Sequence, residues 1–365
     1  MSTSKSTYAH REGLILNAVV AAGISGWGEA APLPGFSVES TSRVETELKA
    51  ALKRLPGVEI DTDREPRDVM ADMMGSIALQ CPSSKFGLET LIADLYSKAR
   101  GLTLREAWFQ SPHCSNAVEI NYLLTNNRER IRDQIEKLLE DGVSTFKLKV
   151  GRDPAAEIAL LRGIRKQLGE QTNIRLDANC AFELEQAIDF LQAISELNIE
   201  YVEEPLMNPS PESLKALAGS STAPIALDET IAKWCGNESG GFTAFAESAW
   251  VESKVFKFAI LKPAILGGLL DCFDFIGCLG SKGITSVITS SLDCDVGVTA
   301  AAQLAGACGS KLPACGLATS TRLESSLGNA RLRIVDGSLK LPDSSGLGME
   351  VDLAASGKYL EEVAL

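Results

Sequence analysis

The sequence predicts an α/β protein built on a closed (β/α)8-type barrel that follows a smaller α+β unit. From residue 118 onward, short apolar segments alternate with helical segments, and the eighth apolar segment ends near residue 319. Such alternation is typical of parallel βαβ units, and eight of them favour a closed barrel. An open doubly wound sheet is the alternative. It explains less well why charged residues end so many of the segments.

Residues 1–112 are predicted to form the smaller unit. Residues 13–30 have the pattern of a β-hairpin, and residues 40–52 and 86–108 have helical periodicity. The acidic stretch at residues 61–67 between the two helical segments is predicted to be a loop.

A loop rich in proline and glycine at residues 30–37 cannot continue a helix or a central strand. It carries two apolar residues, Leu33 and Phe36. A plain surface connection accounts for the proline and glycine, whereas a flap over a pocket accounts for the apolar side chains. The loop by itself favours neither interpretation.

The barrel is predicted to span residues 113–328. Asp153 and Pro154 have the residue types of a helix N-cap and first helical position, which places a helix after the second strand. Residues 329–365 change to short strand and turn segments, and we expect this tail to pack back on the N-terminal unit. The eight predicted strands are 118–124, 143–150, 173–178, 199–204, 224–229, 255–262, 284–290 and 314–319.

The charge balance excludes two classes of partner. The 365 residues include 35 basic and 48 acidic side chains, a net charge of −13, and no basic tract that would attract nucleic acid or an anionic membrane. No apolar stretch is long enough to span a bilayer, and the N-terminus lacks the apolar core of a secretory signal. A small anionic substrate stays compatible with this composition if basic residues gather locally.

Histidine chemistry and cysteine-based metal sites are excluded by composition. Only His10 and His113 occur, which argues against histidine triads and H-E-x-x-H zinc sites. The nine cysteines have no C-x-x-C spacing and are typical of free thiols in a reducing compartment. Acid–base chemistry must therefore fall to Lys, Asp, Glu, Tyr or Cys.

Two lysines occupy alternate positions of the predicted second strand. Because strand side chains alternate between faces, Lys147 and Lys149 point the same way, and the apolar residues between and beside them point the other way. If the apolar face packs under helices, both ammonium groups face the interior of the barrel. Burial of two cations is costly unless anions compensate. Simple ion pairing with nearby acids is the alternative to a catalytic role.

Acidic residues end the next three strands at nearly equal spacing: Asp177, Glu203 and Asp228. A third lysine, Lys262, ends the sixth strand. Any one such carboxylate is more often a helix cap or a salt-bridge partner. Three on successive strands should converge at the carboxyl ends of the barrel strands, where barrel enzymes place their catalytic groups. Converging carboxylates suit a hard, oxygen-ligated cation such as Mg²⁺.

A lysine facing such a cation suggests one reaction class. The like charge of Lys147 and partial burial would lower the pKa of Lys149, which favours a neutral amine that acts as general base. The base would remove the proton next to a substrate carboxylate, and the cation would stabilise the enediolate that forms. The intermediate could then lose a β-hydroxide or be reprotonated. These residues alone do not distinguish elimination from racemisation.

These motifs resemble the enolase superfamily and, within it, the muconate-lactonising subgroup. K-x-K, D-A-N, E-E-P, L-D-E and K-P occur in order on strands two to six, and the resemblance spans about residues 11–350. It implies a (β/α)7β barrel with a capping domain formed by the N-terminal region and the C-terminal tail. It also implies Mg²⁺, or Mn²⁺ in its place, on Asp177, Glu203 and Asp228. Strand alternation turns only one of Glu203 and Glu204 inward, and the resemblance implies Glu203, because the first acid of E-E-P aligns with the ligand of the family. The family usually has a full strand before residues 11–13, so the resemblance also implies that the first capping strand is truncated here or that the sequence is part of a longer polypeptide.

Within the subgroup, three segments resemble the o-succinylbenzoate synthase family: residues 26–37, 290–292 and 316–319. This resemblance implies a syn dehydration that yields o-succinylbenzoate for menaquinone or phylloquinone synthesis. Lys149 would be the base and Lys262 would steady the enediolate. The implied substrate-binding residues are Lys147, Ser290, Ser291 and Phe36.

The resemblance leaves several alternatives open. A racemase of N-acylamino acids or an epimerase of dipeptides is the second interpretation, and a barrel retained only as a binding scaffold is the third. The expected partner is a small carboxylate substrate, with the chain as monomer or dimer. A bacterial protein of this kind would be cytoplasmic, and one from a plant or alga could lie in a plastid.

Overall fold

The structure is a computed structural model that describes residues 10–125, 127–237, 241–328 and 332–357. The N-terminal unit consists of a hairpin followed by four helices: β1 (Leu14–Val19), β2 (Ser25–Ala30), α1 (Thr41–Leu52), α2 (Pro66–Gly75), α3 (Pro82–Arg100) and α4 (Leu104–Phe109). The predicted hairpin and the first predicted helix are confirmed. The Ser40 side chain caps α1 by accepting a hydrogen bond from the Arg43 amide.

Two details of this unit differ from the predictions. The single helix predicted over residues 86–108 is two helices, because Gly101 adopts a left-handed conformation (φ 67°) that ends α3, and Thr103 starts α4 with a capping box. The predicted loop at 61–67 runs directly into α2, which begins at Pro66. The sequence analysis missed α2 because its short apolar face gives a weak periodic signal.

Seven parallel strands form a curled sheet in sequence order. Before them lies the short strand β3 (Ala117–Glu119). The seven are β4 (Asn121–Leu123), β5 (Thr145–Lys149), β6 (Asn173–Asp177), β7 (Ile199–Glu203), β8 (Ile225–Leu227), β9 (Phe258–Leu261) and β10 (Thr285–Ile288).

Helices connect these strands. The predicted cap of α6 is confirmed: the Asp153 side chain accepts a hydrogen bond from the Ala156 amide, and Pro154 is the first helical residue. The helices are α5 (Arg128–Glu140), α6 (Pro154–Leu168), α7 (Leu184–Ala193), α8 (Pro211–Ser220), α9 (Glu229–Asn237), α10 (Gly241–Ala246), α11 (Ala249–Glu252), α12 (Pro263–Leu266), α13 (Leu269–Ser281) and α14 (Asp295–Cys308). Short 3₁₀ turns occupy Ser195–Leu197, Gly309–Lys311 and Ala318–Arg322.

The segment predicted as the eighth strand, 314–319, forms isolated β-bridges in place of a regular strand. These bridges nevertheless join both edges of the sheet. Cys315 bridges Ile120, and Gly316 bridges Thr289. The Asn121 amide donates to the Cys315 carbonyl at 2.9 Å on one side, and the Gly316 amide donates to the Ile288 carbonyl at 2.8 Å on the other. The ring is therefore closed, and the predicted barrel architecture is confirmed.

A buried arginine fills the amino-terminal side of the barrel interior. Arg175 on β6 is fully buried, and its Nε donates to Glu200 Oε2 at 2.6 Å. Its guanidinium carbon lies 4.9 Å from the centre of the Tyr201 ring. Both contacts compensate the charge that burial would otherwise leave unpaired. Arg175 and its partners thus fill the barrel interior below the carboxyl ends of the strands.

The C-terminal tail contacts both parts of the chain. It contains β11 (Ile334–Val335), β12 (Ser338–Lys340) and α15 (Leu353–Ser356). Strand β12 pairs antiparallel with β3, so the strand predicted over 118–124 is in fact two strands that belong to different sheets. Further along, the Leu347 amide donates to Asp94 of α3 at 2.7 Å, and Glu350 pairs with Lys98. The domain boundaries at residues 112 and 328 remain predictions.

The backbone of strand β2 packs directly against helix α3, with no side chain between them at its glycines. A methyl carbon added at Gly28 would lie 2.0 Å from the Gly87 carbonyl oxygen, and one at Gly26 would lie 2.4 Å from the Leu95 side chain. Only glycine allows this approach. The helix in turn is largely buried, so this contact anchors the hairpin to the rest of the N-terminal unit.

Two charged side chains, the partly buried Arg11 and the buried Glu29, join the N-terminal unit to the loop after β10. The Arg11 guanidinium donates to the Pro32 carbonyl at 2.6 Å and to the Leu292 carbonyl at 3.2 Å. Glu29, at the end of β2, accepts from the Cys294 amide at 2.6 Å and from the Gly297 amide at 2.7 Å, at the start of α14. Burial and the neighbouring Asp293 carboxyl raise the pKa of Glu29 to about 7.

The nine cysteines all lie within the described residues and are free thiols. None of the helices described here is long and apolar enough to cross a bilayer.

Gly28→Ala is expected to lower the free energy of unfolding by about 1–3 kcal/mol or more, the usual cost of overpacking. Urea unfolding measures this loss. The control is Gly163→Ala within α6, where an added carbon meets no atom within 4 Å. That variant should instead gain up to about 1 kcal/mol from helix propensity. An equal loss in both variants would contradict the close packing of β2 on α3.

Glu29→Ala is expected to cost more stability at pH 5 than at pH 8. The folded-state pKa of about 7 lies above the ordinary value of 4.5. The folded protein therefore binds more protons than the unfolded chain between these values, and the stabilisation from Glu29 falls as pH rises. The cost of the substitution should shrink by about 1–3 kcal/mol over this range.

Urea unfolding at both pH values tests this expectation, with Glu12→Ala as control. The Glu12 side chain is 69% exposed, so its replacement should have a small effect at both pH values. A cost of Glu29→Ala that stays constant or grows with pH would show that Glu29 is ionised throughout.

Candidate active site

A cavity of about 140 Å³ opens at the carboxyl ends of the barrel strands. All nine site residues predicted from the sequence line it: Phe36, Lys147, Lys149, Asp177, Glu203, Asp228, Lys262, Ser290 and Ser291. The fold thus brings together side chains from five strands, the loop after β10 and the loop after β2. Their chemical roles remain predictions.

The two lysines of β5 project into the cavity, while Phe146 before them and Leu148 between them are buried in the opposite layer. Lys147 Nζ lies 3.0 Å from Asp177 Oδ2 and 2.7 Å from Glu203 Oε2. Lys149 Nζ donates to Asn179 Oδ1 at 2.5 Å and lies 3.6 Å from Asp177 Oδ2. Lys147 is therefore ion-paired, and its charge does not stand uncompensated beside Lys149.

The three predicted metal ligands stand at one level of the barrel. Asp177 is the last residue of β6 and pairs in register with Glu203, the last residue of β7. Asp228 directly follows β8 and forms an ion pair with Lys262. All three carboxylates are almost completely buried, with 4%, 1% and 3% exposure. Their burial side by side creates mutual repulsion that positive charge must offset.

This repulsion, together with burial, changes the pKa values of the carboxylates and of the lysines beside them. Burial and the adjacent Asp177 raise the pKa of Glu203 to about 8. Burial also opposes ionisation of Asp177, but Lys147 and Lys149 outweigh it and hold its pKa below the usual value. For Lys262, burial favours the neutral amine, yet Asp228 and Glu229 raise its pKa to about 12. Without a metal ion, the lysines supply the compensating charge.

The donor set fits a hard divalent cation. Three buried carboxylates from neighbouring strands line one cavity, and oxygen ligands are what Mg²⁺ and Mn²⁺ prefer. Across the described part of the chain, no three acidic, histidine or cysteine side chains stand in coordinating positions as they are. The reason is that Lys147 and Lys262 hold the carboxylates. A bound cation would replace those ion pairs.

The second acid of E-E-P has a different role from the first. Glu204 has a left-handed backbone (φ 42°) that turns its side chain away from the cavity. Its carboxylate accepts from the Asp228 amide at 2.7 Å and from the Thr230 amide at 3.1 Å. Glu204 therefore fixes the backbone that carries Asp228, and Glu203 is the acid that faces the cavity.

The loop after β2 covers the cavity. Leu33 and Phe36 both line it, and Lys262 Nζ lies 5.8 Å from the centre of the Phe36 ring. The interpretation of this loop as a flap over a pocket agrees with its position. On the far side, the Ser290 and Thr319 hydroxyls form a hydrogen bond, and the Ser291 hydroxyl, among the described residues, has no hydrogen-bond partner.

Several lining residues were missed by the sequence analysis. Asn179 follows two residues after Asp177, and the D-A-N motif could have indicated its contact with Lys149. Tyr201 lies two residues before Glu203, so strand alternation predicts that it faces inward. Arg322 lies in the 3₁₀ turn after the eighth segment, where no periodic pattern marks it.

Two family models match the chain. The model described as Enolase C-terminal domain-like matches residues 130–355, which is more than half of the chain. The model described as the MenC N-terminal domain matches residues 3–95. The two matches together cover most of the N-terminal unit, most of the barrel and most of the tail, and leave out residues 96–129.

Similar proteins of known activity differ in the reaction they catalyse. An o-succinylbenzoate synthase of Desulfotalea psychrophila is 30% identical over 305 residues, 77% of this chain and 79% of that protein. An L-Ala-D/L-Glu epimerase of Bacillus subtilis is 26% identical over 313 residues, 83% of this chain and 80% of that protein. The muconate lactonizing enzyme from Pseudomonas putida shares the fold, with a TM-score of 0.82, 21% identity and coverage of 96% and 94% of the two chains. From its sequence matches, the chain belongs to the enolase superfamily.

Proposed function

We propose that this enzyme dehydrates 2-succinyl-6-hydroxy-2,4-cyclohexadiene-1-carboxylate to o-succinylbenzoate with the help of Mg²⁺. The observation that carries the proposal is the charge around the cavity. Apart from the three candidate metal ligands, no acidic side chain of the described residues lines it, whereas three lysines and Arg322 do. This lining suits a substrate with two carboxylates. The o-succinylbenzoate synthase relative supports the same reaction.

Lys149 is the general base in this proposal. Its amine would take the proton from the ring carbon next to the carboxylate, and the electron pair would move into an enediolate. Asn179 Oδ1 accepts a hydrogen bond from the Lys149 amine at 2.5 Å, which orients the amine towards the cavity. The electron pair then expels hydroxide from the neighbouring ring carbon. Lys149 returns its proton to the hydroxide, so that water leaves and the ring becomes aromatic.

Asp177, Glu203 and Asp228 would hold the divalent cation. Bound there, the cation would supply positive charge for the negative charge that develops on the substrate carboxylate. Lys147 would remain beside that carboxylate and support Lys149. Lys262 would steady the enediolate from across the barrel. Phe36, Ser290 and Ser291 would enclose the ring and the succinyl group and exclude water.

A racemase of N-acylamino acids is the second candidate, and one observation favours it. Lys149 ends strand two of the barrel and Lys262 follows strand six, which places them on opposite sides of a ring of eight positions. Two opposed lysines are the arrangement that racemisation needs. A dipeptide substrate is less well matched, because its ammonium group would find no additional acid among the described lining residues.

Lys149→Ala is expected to lower the rate of dehydration by about 10²–10⁴-fold or more, because the substrate proton would lose its acceptor. Activity of the unmodified protein should vanish on chelation and return with Mg²⁺ or Mn²⁺. Formation of the aromatic product, followed by absorbance, measures both effects. Lys257→Ala serves as control, since Lys257 is exposed near the other end of β9. Dehydration that survives in Lys149→Ala would disprove its role as base.

Lys262→Ala distinguishes the two candidates. Dehydration uses one base, so this variant should lose only about 10-fold in rate. Racemisation uses both lysines, so the same change should abolish inversion of N-succinylamino acids. Inversion at the α-carbon, followed by optical rotation and measured beside dehydration, distinguishes the two reactions. Absence of dehydration in the unmodified protein, together with inversion that requires both lysines, would establish the racemase instead.

A further inference from the structure

The substrate of the proposed function has a second carboxylate, at the end of its succinyl chain, and the inference made here rests on that function. The metal ligands and Lys149 account for the ring carboxylate and its neighbouring proton. They leave open what recognises the other charged group. A buried or partly buried carboxylate needs a cation or several N–H donors close by. The terminal carboxylate therefore needs a cation of the cavity that does not act on the ring.

Three of the four cationic residues that line the cavity lie beside the candidate metal ligands, and in the proposed reaction they act on the ring and its carboxylate when the cation is bound. Lys147 contacts Asp177 and Glu203, Lys149 lies 3.6 Å from Asp177, and Lys262 pairs with Asp228. Arg322 is different. Its hydrogen bond runs from Nη2 to the Leu123 carbonyl oxygen at 3.2 Å, and no described carboxylate forms an ion pair with it. The other guanidinium N–H groups can therefore bind a ligand.

The position of Arg322 places this charge across the cavity from the acids. Arg322 lies at the end of the 3₁₀ turn that follows the eighth barrel segment. It donates a hydrogen bond to Leu123, which is the last residue of the first barrel strand. Strands eight and one lie opposite strands four and five in a ring of eight. Strand four ends in Glu203, and Asp228 follows strand five. A flexible chain that extends away from the metal ligands across the cavity would therefore point towards Arg322.

The surroundings of Arg322 suit a carboxylate. The nearby lining consists of Leu123, Tyr122 and the turn residues Ala318 and Thr319, with no acidic side chain among the described residues. Arg322 is exposed at the cavity mouth, where its planar guanidinium can bind a carboxylate through two parallel hydrogen bonds. A lysine would offer a point charge without that geometry.

We infer that Arg322 binds the terminal carboxylate of the succinyl chain and makes the enzyme select dicarboxylates over monocarboxylates. The interaction is present in the ground state and in the transition state alike. It therefore strengthens substrate binding without lowering the barrier to proton transfer. Arg322 is in this respect a specificity residue, separate from the lysines that act on the ring.

The test compares Arg322→Met and Arg322→Lys with the unmodified enzyme. Arg322→Met should raise KM about 10–100-fold and leave kcat within about threefold, as expected for the loss of a uniform binding interaction. Arg322→Lys should recover part of the affinity through its charge. Arg333→Met is the control, because Arg333 is exposed on the tail and does not line the cavity.

Binding of two ligands, the product o-succinylbenzoate and the monocarboxylate benzoate, separates this inference from the proposed reaction. With Mg²⁺ present, calorimetry should show that Arg322→Met weakens o-succinylbenzoate about 10–100-fold and leaves benzoate unchanged. That result would support the inference even if the unmodified protein failed to dehydrate the precursor. Equal weakening of both ligands, no weakening of either, or failure of the unmodified protein to prefer o-succinylbenzoate would overturn it. A fall in kcat with unchanged KM would also overturn it.

Discussion

The burial of three carboxylates at adjacent strand ends is the constraint on which the rest of this structure depends. Asp177, Glu203 and Asp228 are all but inaccessible to water, and such burial is unfavourable unless opposite charge lies beside it. Lys147 and Lys262 provide that charge from inside the same ring. The barrel is the scaffold that makes this possible, because parallel strands deliver their carboxyl ends to one side. The three carboxylates and the lysines thus form one cluster in which the positive charges compensate the buried negative charges.

The cavity above this cluster is shaped by two regions that are distant in sequence. The loop that carries Phe36 and the loop that carries Ser290 and Ser291 both face the acids. Arg11 and Glu29 tie these loops together through backbone groups. A displacement of the N-terminal unit would therefore move both walls of the cavity together. This coupling explains why the hairpin of the N-terminal unit carries a buried charged residue, Glu29.

Local patterns predicted the site better than they predicted the edges of the fold. Alternation along a strand determines which side chains share a face, so it predicted that Lys147 and Lys149 point the same way and that only one of Glu203 and Glu204 faces inward. The choice of Glu203 came from the resemblance of the E-E-P motif to the enolase superfamily. The division of residues 118–124 between two sheets did not, because it depends on pairing with β12, more than 200 residues away. Arg322 was missed for a similar reason. Its place beside Leu123 arises only when the ring closes.

The bridges of Cys315 and Gly316 close the barrel, so its closure can occur only late in folding. The first barrel strand gains its second neighbour only after almost the whole barrel has been synthesised. The tie between Asp94 and the Leu347 amide joins residues 253 positions apart and comes later still. Contacts of such long range slow folding and leave strand edges exposed meanwhile. During translation, the nascent barrel would thus have an open edge until its last segment emerges from the ribosome.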